Sequence, residues 1–161
     1  MADVDLYDSS YGNYALTAYG EIRLETYGED YGQTSWVTTA ESHELPKLLK
    51  LSDQSFVLEI GCGSGGYAVH LAKSFGCRIV GLDINAEGVR NANALAEQAK
   101  VGGKAQFQQF DVAQPLPEQD DTFDAVYSND VLCHVQDRRR CLPISFMSSS
   151  RVDDSYLAMH L

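Results

Sequence analysis

The amino-acid sequence predicts an α/β fold, a doubly wound and mostly parallel sheet with helices on both faces. Short apolar segments alternate along the chain with segments whose apolar side chains recur at helical spacing. A glycine-rich stretch directly follows the first apolar segment, and acidic residues end several of these segments. Strands and helices that alternate in this way imply βαβ units. The chain of 161 residues has room for about one such domain.

Each predicted element has its own signal. The predicted strands are the apolar or alternating segments 56–60, 78–82, 105–110 and 123–128. The predicted helices are the periodic segments 40–51, 64–75 and 85–100. Pro46 is expected only near the start of its helix, Gly76 suits a helix end, and Asn85 can cap the helix that follows it. Residues 115–121 are expected to form a polar turn.

The composition is that of a globular protein and argues against several classes of partner. Hydrophobic residues make up 44% of the chain and charged residues 22%. The net charge of −11 would repel phosphate backbones, so nucleic acid is not expected as a partner. No apolar run is long enough to span a membrane, and the acidic start lacks an apolar signal segment. We therefore expect a cytoplasmic protein with no membrane partner.

The cysteines and histidines give no sign of a metal site. Cys62, Cys77, Cys133 and Cys141 form no C-x-x-C pair, and the four histidines show no ligand spacing. We therefore expect reduced cysteines and no bound metal.

The first 40 residues differ from the rest in composition. Six of the nine tyrosines lie within the first 31 residues, together with glycines and acidic residues. One interpretation is a helical lid with aromatic walls that closes over a ligand, and the other is a loose leader with helical turns. The predicted division is a lid over residues 1–40, a ligand-binding core over 41–140 and an atypical tail over 141–161.

The strongest local signal is the glycine-rich stretch between the first strand and the next helix. Glycines allow a sharp turn and a close approach of ligand to backbone, and a helix N-terminus offers free N–H groups. Gly61, Gly63 and Gly66 fit the G-x-G-x-x-G pattern of dinucleotide-binding folds. Asp83 follows Gly61 by 22 residues, where an acid would bind the ribose of a dinucleotide or of another adenosine cofactor.

Charge distinguishes between these two kinds of cofactor. Glu59, Asp83 and Asp111 lie at the carboxyl ends of predicted strands, where open α/β sheets bind ligands. A pyrophosphate would be repelled there, whereas the ammonium and sulfonium groups of S-adenosylmethionine would be attracted. The sequence therefore favours S-adenosylmethionine as the cofactor, with NAD as the alternative.

Four segments together resemble the motifs of class I S-adenosylmethionine-dependent methyltransferases. Residues 57–65 resemble the first motif, 80–84 the ribose-binding motif, 110–112 the adenine-binding motif and 123–130 the fourth motif. The resemblance covers about residues 10–140 and is greatest to enzymes that methylate small molecules, whose lid is similar to residues 27–36. It implies a Rossmann-like methyltransferase core with an N-terminal helical lid.

The resemblance also implies roles for single residues. Glu59 would orient the methionine end of the cofactor, and Asp83 would bind the ribose hydroxyls. Ile84 would pack on the adenine, and Asp111 would accept a hydrogen bond from its amino group. The other implied contacts come from the loop glycines Gly61, Gly63 and Gly65, the Val112 amide, the Asn129 carbonyl and the lid residues Tyr19, Gln33, Ser35 and Trp36.

Asp130 and His134 are the expected catalytic pair. They are four residues apart and would share one face if the chain is helical after the fourth strand. The carboxylate would orient the imidazole, which could then accept a proton from the substrate. The alternative is a surface ion pair at the start of a helix.

The resemblance ends after residue 140. The family pattern continues there with a helix, a Pro-Gly-Gly turn and three further strands, whereas this chain has a serine-rich stretch with Pro143. We expect a core that is incomplete at its C-terminus, as a frameshift would produce, with a diverged but genuine C-terminus as the alternative. One sheet face and the edge of the fourth strand would be uncovered, which favours homodimers or aggregates.

The expected reaction is transfer of a methyl group from S-adenosylmethionine to a nitrogen or oxygen of a small-molecule acceptor. Two alternatives remain: a truncated remnant that binds the cofactor without catalysis, and an NAD-dependent oxidoreductase. The sequence does not identify the acceptor, because acceptor pockets are built from variable lid and late-strand segments.

Overall fold

The computed structural model describes residues 11–13, 17–32, 39–114, 123–129, 131 and 156–160, the last of these as backbone only. The helices with defined ends are α1 (Thr17–Tyr27), α2 (Thr39–Leu48), α3 (Gly66–Phe75) and α4 (Ala86–Gln98). The strands are β1 (Phe56–Ile60), β2 (Arg78–Asp83), β3 (Ala105–Gln109), β4 (Ala125–Asn129) and β5 (Tyr156–His160). None of the described helices is long and apolar enough to cross a membrane.

The five strands form one sheet in the order β3-β2-β1-β4-β5. β1 pairs in parallel with β2 and β4, β2 pairs in parallel with β3, and β5 runs antiparallel to β4. The chain moves outward from β1 through β2 to β3 and then returns to the other side of β1 for β4. This order confirms the predicted Rossmann-like α/β class. The carboxyl ends of β1 and β4 flank a topological switch point, where open α/β sheets bind ligands.

The helices α2, α3 and α4 contribute to an apolar core on one face of the sheet. Val57 of β1, Ile79 of β2 and Tyr127 of β4 point toward this face, because alternate side chains of a strand share a face. The helix side chains in this core are Leu45, Ala68, Leu71, Ala92 and Ala96. The prediction of helices on the other face concerns residues outside the described ranges.

The opposite face carries a second apolar cluster, which corrects the expectation of an uncovered face. Its members are Leu58, Ile60, Val80, Leu82, Val112, Phe123 and Val126. None of these residues is more than 9% exposed. This face is therefore buried, and it does not offer the apolar surface on which we expected self-association.

Two helix ends follow from residues that the sequence analysis singled out. The Asn85 side chain accepts hydrogen bonds from the N–H groups of Glu87 and Gly88 and so caps α4. Gly76 ends α3 in the left-handed conformation, with φ at 73°, and its N–H donates to the Ala72 carbonyl. Both predictions are confirmed.

Pro46 lies in the last turn of α2, not near the start of a helix as expected. Proline has no N–H, so the carbonyl four residues earlier, that of Ser42, loses its helical partner. The hydroxyl of Tyr67 on α3 donates to that carbonyl instead. A contact between two helices thus replaces the hydrogen bond that the proline removes, and the helix continues through Pro46.

The strand predictions hold to within two residues. β1 has the predicted bounds, β2 extends through Asp83, and β3 ends one residue early. β4 begins at residue 125 rather than 123, because Asp124 is tied to the start of β1. Its carboxylate accepts from the Phe56 N–H at 2.7 Å, and its own N–H donates to the Phe56 carbonyl at 2.8 Å.

The tail contains a strand, which corrects the expectation that nothing would pair with β4. Tyr156–His160 runs antiparallel to β4, with Ala158 opposite Tyr127. The prediction gave weight to the serine run and Pro143 and overlooked these five residues, of which four are apolar or aromatic. The edge of β4 is therefore covered. The rest of the tail lies outside the described residues.

Candidate functional site

The loop over residues 61–65 joins β1 to α3 at the switch point and is fastened to β2. The Gly61 N–H donates to the Leu82 carbonyl at 2.7 Å. Gly61, Gly63 and Gly65 have positive φ angles of 76°, 52° and 72°. A side chain with a Cβ is strained in this region, so the path of the loop requires glycine.

The loop is also packed too closely for larger residues. A Cβ on Gly61 would lie 2.2 Å from Cγ2 of Val131, and a Cβ on Gly65 would lie 2.6 Å from Cβ of Ala92 on α4. The loop is therefore held between helix α4 and Val131, two residues after the end of β4. A ligand at the ends of β1 and β4 would meet bare backbone at three positions.

Asp83 ends β2 and fixes this loop through its carboxylate. One oxygen accepts from the Gly63 N–H at 2.7 Å, and the other accepts from the Asn85 N–H at 2.8 Å. The structure thus brings Asp83 to the glycine loop and gives it a structural role that the sequence analysis missed. Its role toward a ribose stays a prediction.

Glu59 on β1 carries a carboxyl group that is buried in the sheet. Burial raises the pKa of this carboxyl to about 8; the Tyr127 hydroxyl opposes the rise, and the negative charge of Asp83 adds to it. The group therefore keeps its proton in most ligand-free molecules at neutral pH. A perturbed carboxyl at the switch point is typical of a functional site.

Four buried side-chain atoms near the switch point have no hydrogen-bond partner among the described residues. They are Glu59 Oε2, Ser64 Oγ, Tyr127 Oη and Asn129 Oδ1. They come from β1, the glycine loop and β4, and Glu59 lies opposite Tyr127 in the parallel register. A buried polar atom left unpaired costs about 1–3 kcal/mol. Such a set is typical of a site that a polar ligand or ordered water completes.

The residues expected to bind an adenine lie at the ends of β2 and β3. Ile84 is 66% exposed although it directly follows the buried Asp83. Asp111 is exposed, and its carboxylate accepts from the Ala113 N–H at 2.9 Å. Val112 packs into the second apolar cluster, so only its backbone could meet a ligand. The neighbouring strand ends thus present an apolar and an acidic side chain.

The segment after α1 reaches the start of α3, a contact that the sequence analysis missed. A Cβ on Gly66, the first residue of α3, would lie 2.0 Å from the Tyr31 carbonyl oxygen. The centroid of the Tyr31 ring lies 4.2 Å from that of His70 and 6.0 Å from that of Tyr67, both on α3. Residues 31–32 are therefore fixed beside the glycine loop.

The remaining predicted site residues are not placed at the loop by these contacts. Tyr19 is partly buried on α1, and none of the described side chains of that helix is fully buried. The lid residues Gln33, Ser35 and Trp36 and the catalytic pair Asp130 and His134 lie outside the described residues. Their roles stay predictions.

The thiol beside the carboxylates is not a nucleophile. Burial raises the pKa of Cys62 well above its usual range, and the negative charges of Glu59 and Asp83 add to the rise. The thiol is therefore protonated at neutral pH, whereas the thiolate is the reactive form. Within the ranges that the structure describes, no group of three or more His, Cys, Asp or Glu side chains could hold a metal ion.

Comparison with protein families gives a match over the core. Residues 58–143 match a family model described as a methyltransferase domain, which is more than half of the chain. The matched range begins in β1 and includes the glycine loop, Asp83 and β4.

Curated proteins are similar to this chain at about 30% identity. Phosphoethanolamine N-methyltransferase 3 of Arabidopsis thaliana is 31% identical over 129 residues, which cover 78% of this chain and 25% of that protein. O-methyltransferase resE of Aspergillus sclerotiorum is 33% identical over 105 residues, which cover 65% of this chain and 39% of that protein. The 27-O-demethylrifamycin SV methyltransferase of Amycolatopsis mediterranei is 31% identical over 130 residues, which cover 75% of this chain and 47% of that protein. The chain thus spans a quarter to under half of their lengths.

Solved structures share the fold. The cyclase SpnF superposes with a TM-score of 0.61 at 23% identity, covering 72% of this chain and 43% of that one. The YcgJ protein of Bacillus subtilis superposes with a TM-score of 0.56 at 27% identity, covering 62% of this chain and 42% of that one.

Proposed function

We propose a function from one premise: this chain belongs to the methyltransferase-domain family, as its match over residues 58–143 shows. The proposed function is the transfer of a methyl group from S-adenosylmethionine to a nitrogen or oxygen of a small-molecule acceptor. The cofactor would lie at the carboxyl ends of β1, β2 and β4, against the glycine loop. Residues 1–40 would act as its lid and residues 41–140 as its binding core.

The observation that carries this proposal is the set of unpaired buried polar atoms at the switch point. Glu59 Oε2 and Asn129 Oδ1 are acceptors beside a second acid, Asp83. The ammonium group of the methionine portion is a cationic donor and suits them. A pyrophosphate would instead bring negative charge next to Asp83 and would further disfavour the ionised form of Glu59. The residues present therefore fit S-adenosylmethionine better than NAD.

The outer part of the site fits the rest of the cofactor. Asp83 ends β2 beside the glycine loop, where an acid could accept hydrogen bonds from ribose hydroxyls. The exposed Ile84 offers an apolar surface for an adenine, and Asp111 offers an acceptor for the amino group. These are the side chains to which the resemblance assigns contacts with the ribose and the adenine.

The residues of this chain would mainly position the reactants and exclude water. When bound, S-adenosylmethionine supplies a methyl carbon whose bond to positively charged sulfur breaks as the acceptor's lone pair attacks, with the bonding electrons left on sulfur. Alignment of reactants and exclusion of solvent provide most of what such a transfer needs. The contact of Tyr31 with α3 would hold the lid beside the loop. His134, oriented by Asp130, would take the proton that the acceptor loses.

The acceptor class is proposed at the level of a small molecule. Relatives with N-methyltransferase and with O-methyltransferase in their names match this chain about equally well. The proposal therefore keeps both nitrogen and oxygen acceptors. We also propose a cytoplasmic location, as the sequence analysis expects.

A second candidate is a chain that binds the cofactor without catalysis. This chain spans 25% of Phosphoethanolamine N-methyltransferase 3 and 47% of the 27-O-demethylrifamycin SV methyltransferase, so transfer by the chain itself has to be measured. Transfer of a labelled methyl group to a panel of small amines and hydroxyl compounds distinguishes the two candidates. Binding of S-adenosylhomocysteine without any transfer would support the second.

Titration calorimetry tests the cofactor assignment. We expect saturable binding of S-adenosylhomocysteine to the full chain and no binding of NAD. Glu59→Gln should weaken the binding, whereas Glu97→Gln, an exposed change on α4, should leave it unchanged. Binding of NAD in place of S-adenosylhomocysteine would contradict the proposal.

A further inference from the structure

Tyr127 is a fully buried tyrosine whose hydroxyl lies beside the carboxyl of Glu59. It lies on β4 opposite Glu59 of β1 and is 0% exposed. Its ring meets the Tyr67 ring edge-on, with 6.2 Å between the centroids. Among the described residues neither Tyr127 Oη nor Glu59 Oε2 has a partner with the geometry of an ordinary hydrogen bond. A phenylalanine would fill the same space without an unpaired hydroxyl, so the hydroxyl indicates a function beyond packing.

The groups around Glu59 disfavour its ionised form. Asp83 faces the carboxyl from β2, Cys62 faces it from the loop, and Tyr127 faces it from β4, while Tyr67 on α3 faces Tyr127. None of these four groups carries a positive charge. Burial raises the pKa of Glu59 to about 8, Asp83 adds to the rise, and the Tyr127 hydroxyl acts in the opposite sense. The hydroxyl is therefore placed to stabilise the carboxylate once it forms.

We propose that Tyr127 is a positioning residue for Glu59. When a cationic group of the cofactor binds, Glu59 releases its proton to solvent. Tyr127 then donates a hydrogen bond to the new carboxylate. The O–H bond of the carboxyl breaks, and its electron pair stays on the oxygen that then faces the cation. This inference rests on the proposed function, because it needs a ligand whose methionine portion carries an ammonium group.

Proton release can be measured by titrating S-adenosylhomocysteine into the full chain in two buffers of different ionisation enthalpy. At about pH 7 we expect about one proton released per ligand, falling toward zero above about pH 9.5. Glu59→Gln should abolish the release, because the amide has no such proton. Tyr127→Phe should weaken binding about tenfold, which corresponds to ~1.4 kcal/mol, and should move the release to higher pH because the carboxylate loses its donor.

Tyr67→Phe is the matched control. It also removes one buried hydroxyl, but that hydroxyl donates to the Ser42 carbonyl. We expect the same number of released protons as in the wild-type chain. An unchanged affinity and pH profile in Tyr127→Phe would overturn the role of its hydroxyl.

The wild-type chain alone also tests the proposal, even if Tyr127→Phe does not fold. Binding of S-adenosylhomocysteine at about pH 7 with no proton release would overturn the inference and leave the proposed function intact. If the wild-type chain does not bind S-adenosylhomocysteine, the proposed function fails and this inference fails with it.

Discussion

At the scale of single residues, two acids at the same sheet edge serve different purposes. Asp83 accepts two backbone N–H groups and holds the glycine loop, whereas Glu59 is buried with one oxygen unpaired. The sequence predicted both positions, because each acid lies at or near the end of an apolar strand. It could not predict the role of Tyr127, because a tyrosine that follows Ala125 and Val126 in a strand has the pattern of an ordinary core residue.

Asp83→Asn should reduce both stability and affinity. The amide nitrogen cannot accept a hydrogen bond, so the N–H of Gly63 or of Asn85 loses its partner, and the free energy of unfolding should fall by about 1–3 kcal/mol. Binding of S-adenosylhomocysteine should weaken at least about tenfold with the loss of the carboxylate. Urea unfolding and calorimetry measure the two effects, with the exposed change Asp53→Asn as control. Unchanged affinity in a folded Asp83→Asn chain would show that the cofactor lies elsewhere.

The pKa of Glu59 predicts that the ligand-free chain loses stability as the pH rises. This pKa is about 8 in the folded state against 4.5 for a glutamate that is free in water, so the folded state holds the proton more tightly. Ionising the buried Glu59 carboxyl lowers the free energy of unfolding. This loss is absent below about pH 4.5, the pKa of Glu59 in the unfolded chain, and is complete above about pH 8. Between about pH 5 and 8 the wild-type chain should lose a few kcal/mol more than Glu59→Gln in urea unfolding. Glu97→Gln should behave like the wild type, and equal losses in all three chains would contradict the burial argument.

At the scale of elements, local sequence signals were sufficient to predict most of the strands and helices. β1 has its predicted bounds and Asn85 caps α4, because strand and cap signals lie within a few residues of the feature. The two errors depend on distant partners. α2 continues through Pro46 because Tyr67 bonds the freed carbonyl, and β5 forms against the edge of β4. The Tyr67 contact leaves no trace in the sequence around Pro46, whereas the apolar residues of β5 are a local signal that the prediction overlooked.

Gly66→Ala should release the lid segment from α3. Alanine favours a helix over glycine by about 1 kcal/mol, yet its Cβ would lie 2.0 Å from the Tyr31 carbonyl oxygen. We expect faster proteolysis of the segment around Tyr31 and weaker protection by S-adenosylhomocysteine, while the sheet stays folded. Gly103→Ala is the control, because a Cβ at that position meets nothing within 4 Å. Equal cleavage rates for both variants and the wild type would show that the contact does not hold the lid.

At the scale of the whole molecule, the fold and the family could be predicted from the order of the motifs. The strands, the glycine loop and the strand-end acids follow one another as in the resembled family, and the match over residues 58–143 confirms that family. The expected uncovered face was wrong, because the second apolar cluster is buried and β5 covers β4. The acceptor could not be predicted, because residues 33–36 and the segment around His134 have no fixed pattern for one substrate.

Removal of β5 should produce the association that the sequence analysis expected of the full chain. A chain that ends at residue 155 leaves the edge of β4 unpaired, and unpaired edges favour association. We expect larger species in sedimentation and a lower melting temperature than for the full chain. Identical sedimentation and melting of the two chains would show that the pairing of β5 with β4 contributes nothing to stability.

The most direct measurement is the mapping of S-adenosylhomocysteine onto the chain by changes in backbone amide NMR shifts. We predict that the largest changes occur in the glycine loop over residues 61–65 and at Asp83, Ile84, Val112 and Asn129. The amides at the opposite ends of the strands, such as those of Val57 and Ile79, should change little. Saturable binding with the largest changes away from the loop, or no changes at all, would contradict a cofactor site at the switch point.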